Sequence, residues 1–176
     1  MPHITAQLSY NGFDTKVARL GLISLLEEVE AAVTGFQLAI KEARHANGTR
    51  QIRESIDAQF SAMGGWKKIV SGGVDWSKEN DSGSIGVEVQ VSGRSDLLAV
   101  DVLHLKKELT EGRLDAGVIV VPDDDLSPFL TDRTPNLRTA IKHVDAEMAV
   151  QLIAFRHDAE GPAIPKAVTN RGKGRT

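Results

Sequence analysis

Residues 85–92, Ile-Gly-Val-Glu-Val-Gln-Val-Ser, alternate between apolar and other side chains along the whole stretch. This period of two residues predicts a β-strand whose valine-rich face packs in a core. Two polar residues, Glu88 and Gln90, stand on the opposite face of the predicted strand. A solvent-exposed face is the simpler explanation for such a pair, and a functional site is the alternative.

The segment before this strand places a second acidic residue opposite the first. A strand is predicted at residues 74–78, Val-Asp-Trp-Ser-Lys, and the connection Asn80-Asp-Ser-Gly83 has the composition of a hairpin turn. If the turn is centred on its middle peptide, Asp75 faces Glu88, with Cβ atoms roughly 4.5–5.5 Å apart. Two carboxylates at that distance repel each other unless a cation lies between them. Oxygen ligands of this kind favour Mg²⁺.

The rest of the chain alternates between helical and strand periods. Helices are predicted from Asp14 to near Asn47, and at 49–63, 95–112 and 134–148. Further strands are predicted at 66–70, with a turn at Gly72-Gly73, and at 116–121 and 149–155. Residues 1–13 show no clear period. This order of elements predicts a mixed α/β layer fold.

Composition limits the class of protein. The chain has 176 residues, 41% of them hydrophobic and 26% charged, which is typical of one domain with its own core. It contains no apolar run long enough to span a membrane and no signal-peptide pattern at its start, so we expect a cytoplasmic protein without a membrane partner. The absence of cysteine excludes disulfides, thiolate metal sites and cysteine nucleophiles.

Charge is distributed unevenly along the chain. The formal net charge is −3, but residues 166–176 hold four basic residues and no acidic one, which leaves −7 on the remainder. We therefore expect a single domain over residues 1–165 and a flexible basic tail over 166–176. An acidic body alone argues against binding nucleic acid.

Other common catalytic patterns are missing. The sequence contains no Walker A motif, no Gly-x-Gly-x-x-Gly motif and no Gly-x-Ser-x-Gly motif. Its five histidines are scattered without the spacing of a zinc site. The predicted hairpin therefore remains the strongest candidate site.

The residues around this hairpin resemble the core of the PD-(D/E)XK nucleases. The matching segments are Gly65-Trp66, Val74–Lys78, Gly86–Val91 and Val120-Val121-Pro122. More narrowly, they are similar to the BamHI/BglII branch of type II restriction endonucleases, and the likeness covers roughly Gly64–Phe155. It implies a restriction-endonuclease-like, three-layer α/β/α fold with a central mixed five-stranded sheet.

The resemblance also implies roles for three residues. Asp75 corresponds to the first metal ligand, Glu88 to the second, and Gln90 to the position that holds lysine in most relatives. The implied activity is Mg²⁺-dependent, sequence-specific hydrolysis of double-stranded DNA that leaves 5′-phosphate ends. The implied partners are a second copy of the chain and a cognate DNA methyltransferase. Gln90 cannot act as a charged base, so a non-cleaving DNA-binding relative remains an alternative. A structure-specific repair nuclease of the same fold and an acidic interaction domain are further alternatives.

Several other residues are candidates for supporting roles. Auxiliary roles at the site are assigned to Glu54, Lys68 and Lys78, although a solvated or structural role is the simpler interpretation of Glu54 and Lys78. Residues suited to DNA contacts are Arg94, Arg133, Asn136 and Arg138. The apolar stripe between Leu22 and Ile40 is interpreted as core, with a dimer seam as the alternative. We interpret the Pro122–Asp125 segment as an acidic loop that caps a strand.

Overall fold

The computed structural model describes residues 1–69, 73–92, 94–145 and 147–167. The helices in these ranges are α1 (Phe13–Arg19), α2 (Ile23–Thr34), α3 (Arg50–Met63), α4 (Ser95–Thr110) and α5 (Leu137–His143), with a 3-10 turn at Ser127–Phe129. The strands are β1 (His3–Tyr10), β2 (Ala39–Ile40), β3 (Lys67–Lys68), β4 (Trp76–Glu79), β5 (Ser84–Val89), β6 (Ala116–Pro122), β7 (Val150–Arg156) and β8 (Ala159–Glu160). Gly72 of one predicted turn and most of the basic tail lie outside the described residues. None of the described helices has the length and hydropathy needed to cross a membrane.

Six strands form one mixed sheet in the order β1-β7-β6-β5-β4-β3, and β2 pairs with β8 separately. Strands β5, β6 and β7 run parallel, whereas β4 and β3 continue antiparallel at one edge and β1 is antiparallel at the other. The predicted mixed α/β class is confirmed, but the predicted number of five strands is wrong. The additional strand is β1, in which Ile4, Ala6, Leu8 and Tyr10 alternate with other residues.

Helices cover both faces of the sheet. Helices α1, α2 and α3 share a hydrophobic cluster with the odd-numbered residues of β5, such as Val87 and Val89. Helices α4 and α5 share a second cluster with Ile119 and Val121 of β6. Because successive side chains of a strand point to opposite faces, the two clusters lie on opposite sides of the sheet.

The prediction of one long helix from Asp14 to near Asn47 is wrong. It is divided after α1, where Gly21 adopts a φ of +62°, and α2 ends at Thr34. The helical period misleads because both segments bury their apolar residues in the same cluster. The buried residues of this stripe are Leu22, Leu25, Val29, Val33 and Ile40. They are core residues, and none of these five is available for a dimer seam.

Strand β6 and the acidic loop after it agree with the predictions from the sequence, and helix α5 differs from its prediction at both ends. Strand β6 is buried along its whole length, as predicted for a strand covered on both faces. Helix α5 is shorter than predicted because Asn136, and not Thr134, caps its start, and it ends at His143. The acidic loop after β6 is structural, since buried Asp123 accepts backbone hydrogen bonds from the loop and pairs with Arg156.

Candidate active site

Strands β4 and β5 form the predicted hairpin in the predicted register. Trp76 faces Val87, and one position beyond this pair Asp75 lies across from Glu88. The Asn80 side chain stabilises the turn by accepting two backbone hydrogen bonds from the residues that follow it. The turn chemistry thus fixes which residues meet at the other end of the hairpin.

The face of β5 that carries Glu88 and Gln90 is buried. Glu88 is 2% exposed and Gln90 is 5% exposed, so the explanation of these residues as a solvent-exposed face is wrong. Helix α4 packs against this strand. A buried carboxyl or amide group is unfavourable unless it is hydrogen-bonded, paired or neutral.

Both carboxylate oxygens of Asp75 are held by neighbouring donor groups. Its Oδ2 accepts a hydrogen bond of 2.8 Å from the backbone N–H of Val89, and its Oδ1 lies 2.7 Å from Nη2 of Arg53. The side chain remains 26% exposed, so solvent can reach the carboxylate. Asp75 is therefore held in one orientation beside the end of β5.

Glu88 is neutral at ordinary pH in this environment. Burial raises the pKa of Glu88 to about 10, and the nearby charges of Asp75 and Asp101 add to the rise. Its Oε1 is buried and has no hydrogen-bond partner among the described residues. A carboxyl oxygen without a partner in a buried site is suited to a ligand that supplies positive charge.

Both polar atoms of the Gln90 side-chain amide are hydrogen-bonded. Its Nε2 donates a hydrogen bond to Oδ2 of Asp101 on α4, and its Oε1 accepts one of 3.0 Å from Ser92. Burial raises the pKa of Asp101 to about 6, with a further contribution from Asp75. Sequence reasoning missed Asp101, although its position among Leu98 and Val102 in the apolar stripe of α4 is a usable signal.

Sequence reasoning also missed two residues on α3. Arg53 lies between Asp57 and Asp75, and its Nη1 donates a hydrogen bond of 2.8 Å to the Val89 carbonyl. Burial opposes the charge of Arg53, but the hydrogen bonds and charges of Asp75 and Asp57 outweigh it and raise the pKa of Arg53. Arg53 and Asp57 are four residues apart on one helix, beside the buried Ile56.

The three auxiliary candidates do not reach Asp75 or Glu88. Glu54 is exposed and pairs with Arg50, so it is a solvated helix residue. A tight turn at Gly72-Gly73 would place Lys68 on the Asp75 face, but Lys68 faces Trp76 across β3 and β4, and its Nζ pairs with Asp57. Lys78 points to the opposite face, as alternation predicts, and pairs with Glu28 at 2.7 Å.

The four candidates for DNA contacts differ in their surroundings. Arg94 and Arg138 are exposed, and Arg94 pairs with Asp96 at the start of α4. The charge of Arg133, in the loop before α5, helps to lower the pKa of Asp96. Asn136, in contrast, is occupied as the N-cap of α5. Exposed Arg94 and Arg133 are therefore the better candidates.

The residues present fit a divalent cation with few protein ligands. No group of three or more His, Asp or Glu side chains within the described ranges is arranged to hold a metal ion. Two carboxyl groups are nevertheless brought together by Asp75 and Glu88, and the Val89 carbonyl lies beside them. Mg²⁺ commonly uses one or two carboxylates and completes its shell with water and phosphate oxygens.

A mixed sheet with helices on both faces is consistent with the restriction-endonuclease-like fold. A family model described as restriction endonuclease BamHI matches residues 15–173. The chain therefore belongs to this family of type II restriction endonucleases, and the resemblance inferred from the hairpin is confirmed. Comparison with individual curated proteins gives no significant match. Membership implies a DNA endonuclease, and enzymes of this family generally use a divalent metal ion.

Proposed function

We propose that this protein is a sequence-specific type II restriction endonuclease that uses Mg²⁺ to hydrolyse phosphodiester bonds in double-stranded DNA and leaves 5′-phosphate ends. One observation carries the proposal. Within a chain of the BamHI family, Asp75 faces the buried Glu88 at the open end of a hairpin. Two facing carboxyl groups can hold the divalent ion that metal-dependent phosphate chemistry uses.

Asp75 and Glu88 would hold the metal ion, with the Val89 carbonyl as a further oxygen donor. The ion would neutralise charge on the phosphate and lower the pKa of the attacking water. Val89 N–H orients Asp75 for this role. Glu88 must give up its proton when a cation binds, since it is neutral in the metal-free protein. Gln90, bonded to Asp101, cannot take a proton and is assigned a positioning role.

The proposed substrate contacts are exposed arginines. Arg94, at the start of α4, and Arg133, in the loop before α5, would contact DNA phosphate or base edges. Arg138 is a further surface contact. A cognate methyltransferase that modifies the same site completes the proposal, because an active enzyme of this kind needs a protected host genome.

We further propose that the enzyme works as a homodimer formed through α4 and α5. These helices pack against each other and expose Val100, Leu103 and Ile141, of which Leu103 is 64% exposed. A two-fold protein matches a palindromic DNA site. The catalytic unit is the domain of residues 1–165, and the basic tail adds to DNA affinity.

The activity is tested by digesting a large unmethylated DNA in the presence of Mg²⁺. The wild-type protein should give discrete fragments that DNA ligase rejoins without prior phosphorylation. Asp75→Asn and Glu88→Gln should each lower the cleavage rate by about a thousandfold or more, because each removes a ligand for the charge-neutralising ion. Glu79→Gln is the matched control, since Glu79 is an exposed carboxylate on the same hairpin.

Three results would overturn the proposal in different ways. Cleavage that persists in both variants would exclude these carboxyl groups as catalytic. Tight duplex binding without Mg²⁺-dependent cutting would identify a non-cleaving relative. Cutting that follows DNA structure and not sequence would identify a repair nuclease of the same fold.

A further inference from the structure

The guanidinium group of Arg53 has an acceptor at each of its three nitrogens. Nε lies 3.1 Å from Oδ1 of Asp57, Nη1 lies 2.8 Å from the Val89 carbonyl oxygen, and Nη2 lies 2.7 Å from Oδ1 of Asp75. The side chain is 29% exposed, so the group is accessible from solvent. Two of its three partners belong to the candidate metal site.

The oxygen atoms that Arg53 occupies are suitable ligands for a divalent cation. Besides Glu88, the oxygen donors around the site are Oδ1 of Asp75 and the Val89 carbonyl. A guanidinium group within hydrogen-bond distance of both oxygens fills the space in which an ion would contact them. Each positive group also repels the other, so Arg53 in this position and a bound divalent ion exclude each other.

Asp57 offers the guanidinium group a second anchor. It lies one turn further along α3 and accepts hydrogen bonds from Lys68 Nζ at 2.7 Å and from Trp76 Nε1 at 2.8 Å. Burial opposes ionisation of Asp57, but the hydrogen bonds from Lys68 and Trp76 and the charge of Arg53 outweigh it and lower the pKa of Asp57. Arg53 can therefore withdraw from Asp75 and retain an ionised partner.

We propose that Arg53 is an internal cation that competes with the divalent metal ion for Oδ1 of Asp75 and the Val89 carbonyl. This inference rests on the proposed metal centre and adds a control of its affinity. In the metal-free protein Arg53 neutralises Asp75 and holds the end of the hairpin together. Metal binding requires the guanidinium group to move away, so the wild-type affinity for the ion is weaker than the oxygen donors alone would give.

The competition is tested by titrating the metal-free protein with Mn²⁺ alone, using calorimetry or the electron paramagnetic resonance signal of free Mn²⁺. Arg53→Gln should bind Mn²⁺ about tenfold more tightly than the wild type or better, because the competing charge is removed. Arg53→Lys should be intermediate, since it keeps the charge but loses the fork that spans two acceptors. Arg50→Gln is the matched control on the same helix, because Arg50 is exposed and pairs with Glu54. It should bind Mn²⁺ as the wild type does.

Thermal unfolding provides the second measurement. Arg53→Gln should unfold at a lower temperature than the wild type in EDTA, and saturating Mn²⁺ should raise its unfolding temperature by more than it raises that of the wild type. If Arg53→Gln does not fold without metal, the Mn²⁺ affinity of Arg53→Lys decides the question. That affinity must exceed the wild-type value.

A purely structural role for Arg53 predicts the opposite result. Unchanged or weaker Mn²⁺ binding by folded Arg53 variants would overturn the inference and leave the proposed metal centre intact. Failure of the centre itself has a separate signature, which is wild-type Mn²⁺ affinity in Asp75→Asn and Glu88→Gln. The two failures are therefore distinguishable.

Discussion

Glu88 couples the active site to pH through its proton. In the folded, metal-free protein its pKa is raised from the ordinary value of 4.5 to about 10 by burial and by neighbouring carboxylates. Between these pH values the folded state binds the proton and the unfolded state does not. The free energy of unfolding therefore falls as the pH rises through this window, by at most about 1.4 kcal/mol per pH unit.

Replacing the Glu88 carboxyl group with a neutral amide should remove the part of this pH dependence of stability that comes from Glu88. In EDTA, Glu88→Gln should be more stable than the wild type by about 2–4 kcal/mol near pH 8 and nearly equal to it near pH 5. Asp101 contributes in the same direction between pH 3.8 and about 6, and this contribution remains in the variant. Urea unfolding across the pH range measures both slopes, with Glu79→Gln as the exposed control. A slope in Glu88→Gln as steep as in the wild type would mean that Glu88 is not the titrating group.

The residues of the site were predictable to different degrees. Asp75 and Glu88 could be placed opposite each other because a short turn fixes the register of a hairpin. Arg53 and Asp101 could not be placed, since each reaches the site from a helix whose rotation and docking depend on tertiary packing. Their positions beside apolar stripes are the local signals that the sequence contains.

At the scale of elements, Asn136 shows how one residue type can suit two different roles. Its side chain was a candidate for reading adenine, but its Oδ1 accepts hydrogen bonds from the backbone N–H and the Oγ1 of Thr139, at 2.9 and 2.8 Å. Its Nδ2 donates to Oγ of Ser127. These contacts fasten the start of α5 to the loop after β6.

Loss of this cap should affect folding and not DNA binding. Asn136→Ala should lower the free energy of unfolding by about 1 kcal/mol, and Asn136→Asp should recover most of the loss because a carboxylate also caps. Arg138→Ala, at an exposed position in the first turn of the helix, should leave stability unchanged. Thermal unfolding provides the comparison. A folded Asn136→Ala protein with reduced DNA affinity would restore the DNA-contact hypothesis.

The boundaries of helices and strands could be predicted from the sequence where a single physical signal dominated. Strand β6 is a continuous apolar run and β7 is apolar except at Gln151 and Arg156, and both strands were predicted within a residue or two. The apolar stripe from Leu22 to Ile40 did not reveal that α2 ends at Thr34, because Ile40 on β2 is buried in the same cluster as α2. Strand β1 has a period of two residues but half-buried side chains, so its pattern is weaker than that of β5.

At the scale of the whole molecule, a net charge of −3 makes indiscriminate DNA binding unfavourable. Affinity must therefore come from local features, such as Arg94 and Arg133, and from the two copies of such a surface in a dimer. Exposed apolar side chains on α4 and α5 are the contacts that we propose for the dimer. Leu103 is the most exposed of them, and its burial in a dimer would stabilise association.

Introducing a charge at this position should separate the protomers. Leu103→Glu should raise the dimer dissociation constant by about tenfold or more, because a carboxylate would have to be buried in the contact. Sedimentation equilibrium measures the constant directly. Ile23→Glu is the matched control, since Ile23 on α2 is 51% exposed and lies outside α4 and α5. If Leu103→Glu associates as the wild type does, or if the wild type is monomeric, this surface is not the dimer contact. If the monomeric variant still folds but cuts one strand at a time, each protomer contains a complete active site, and dimerisation serves to match the two-fold symmetry of the DNA.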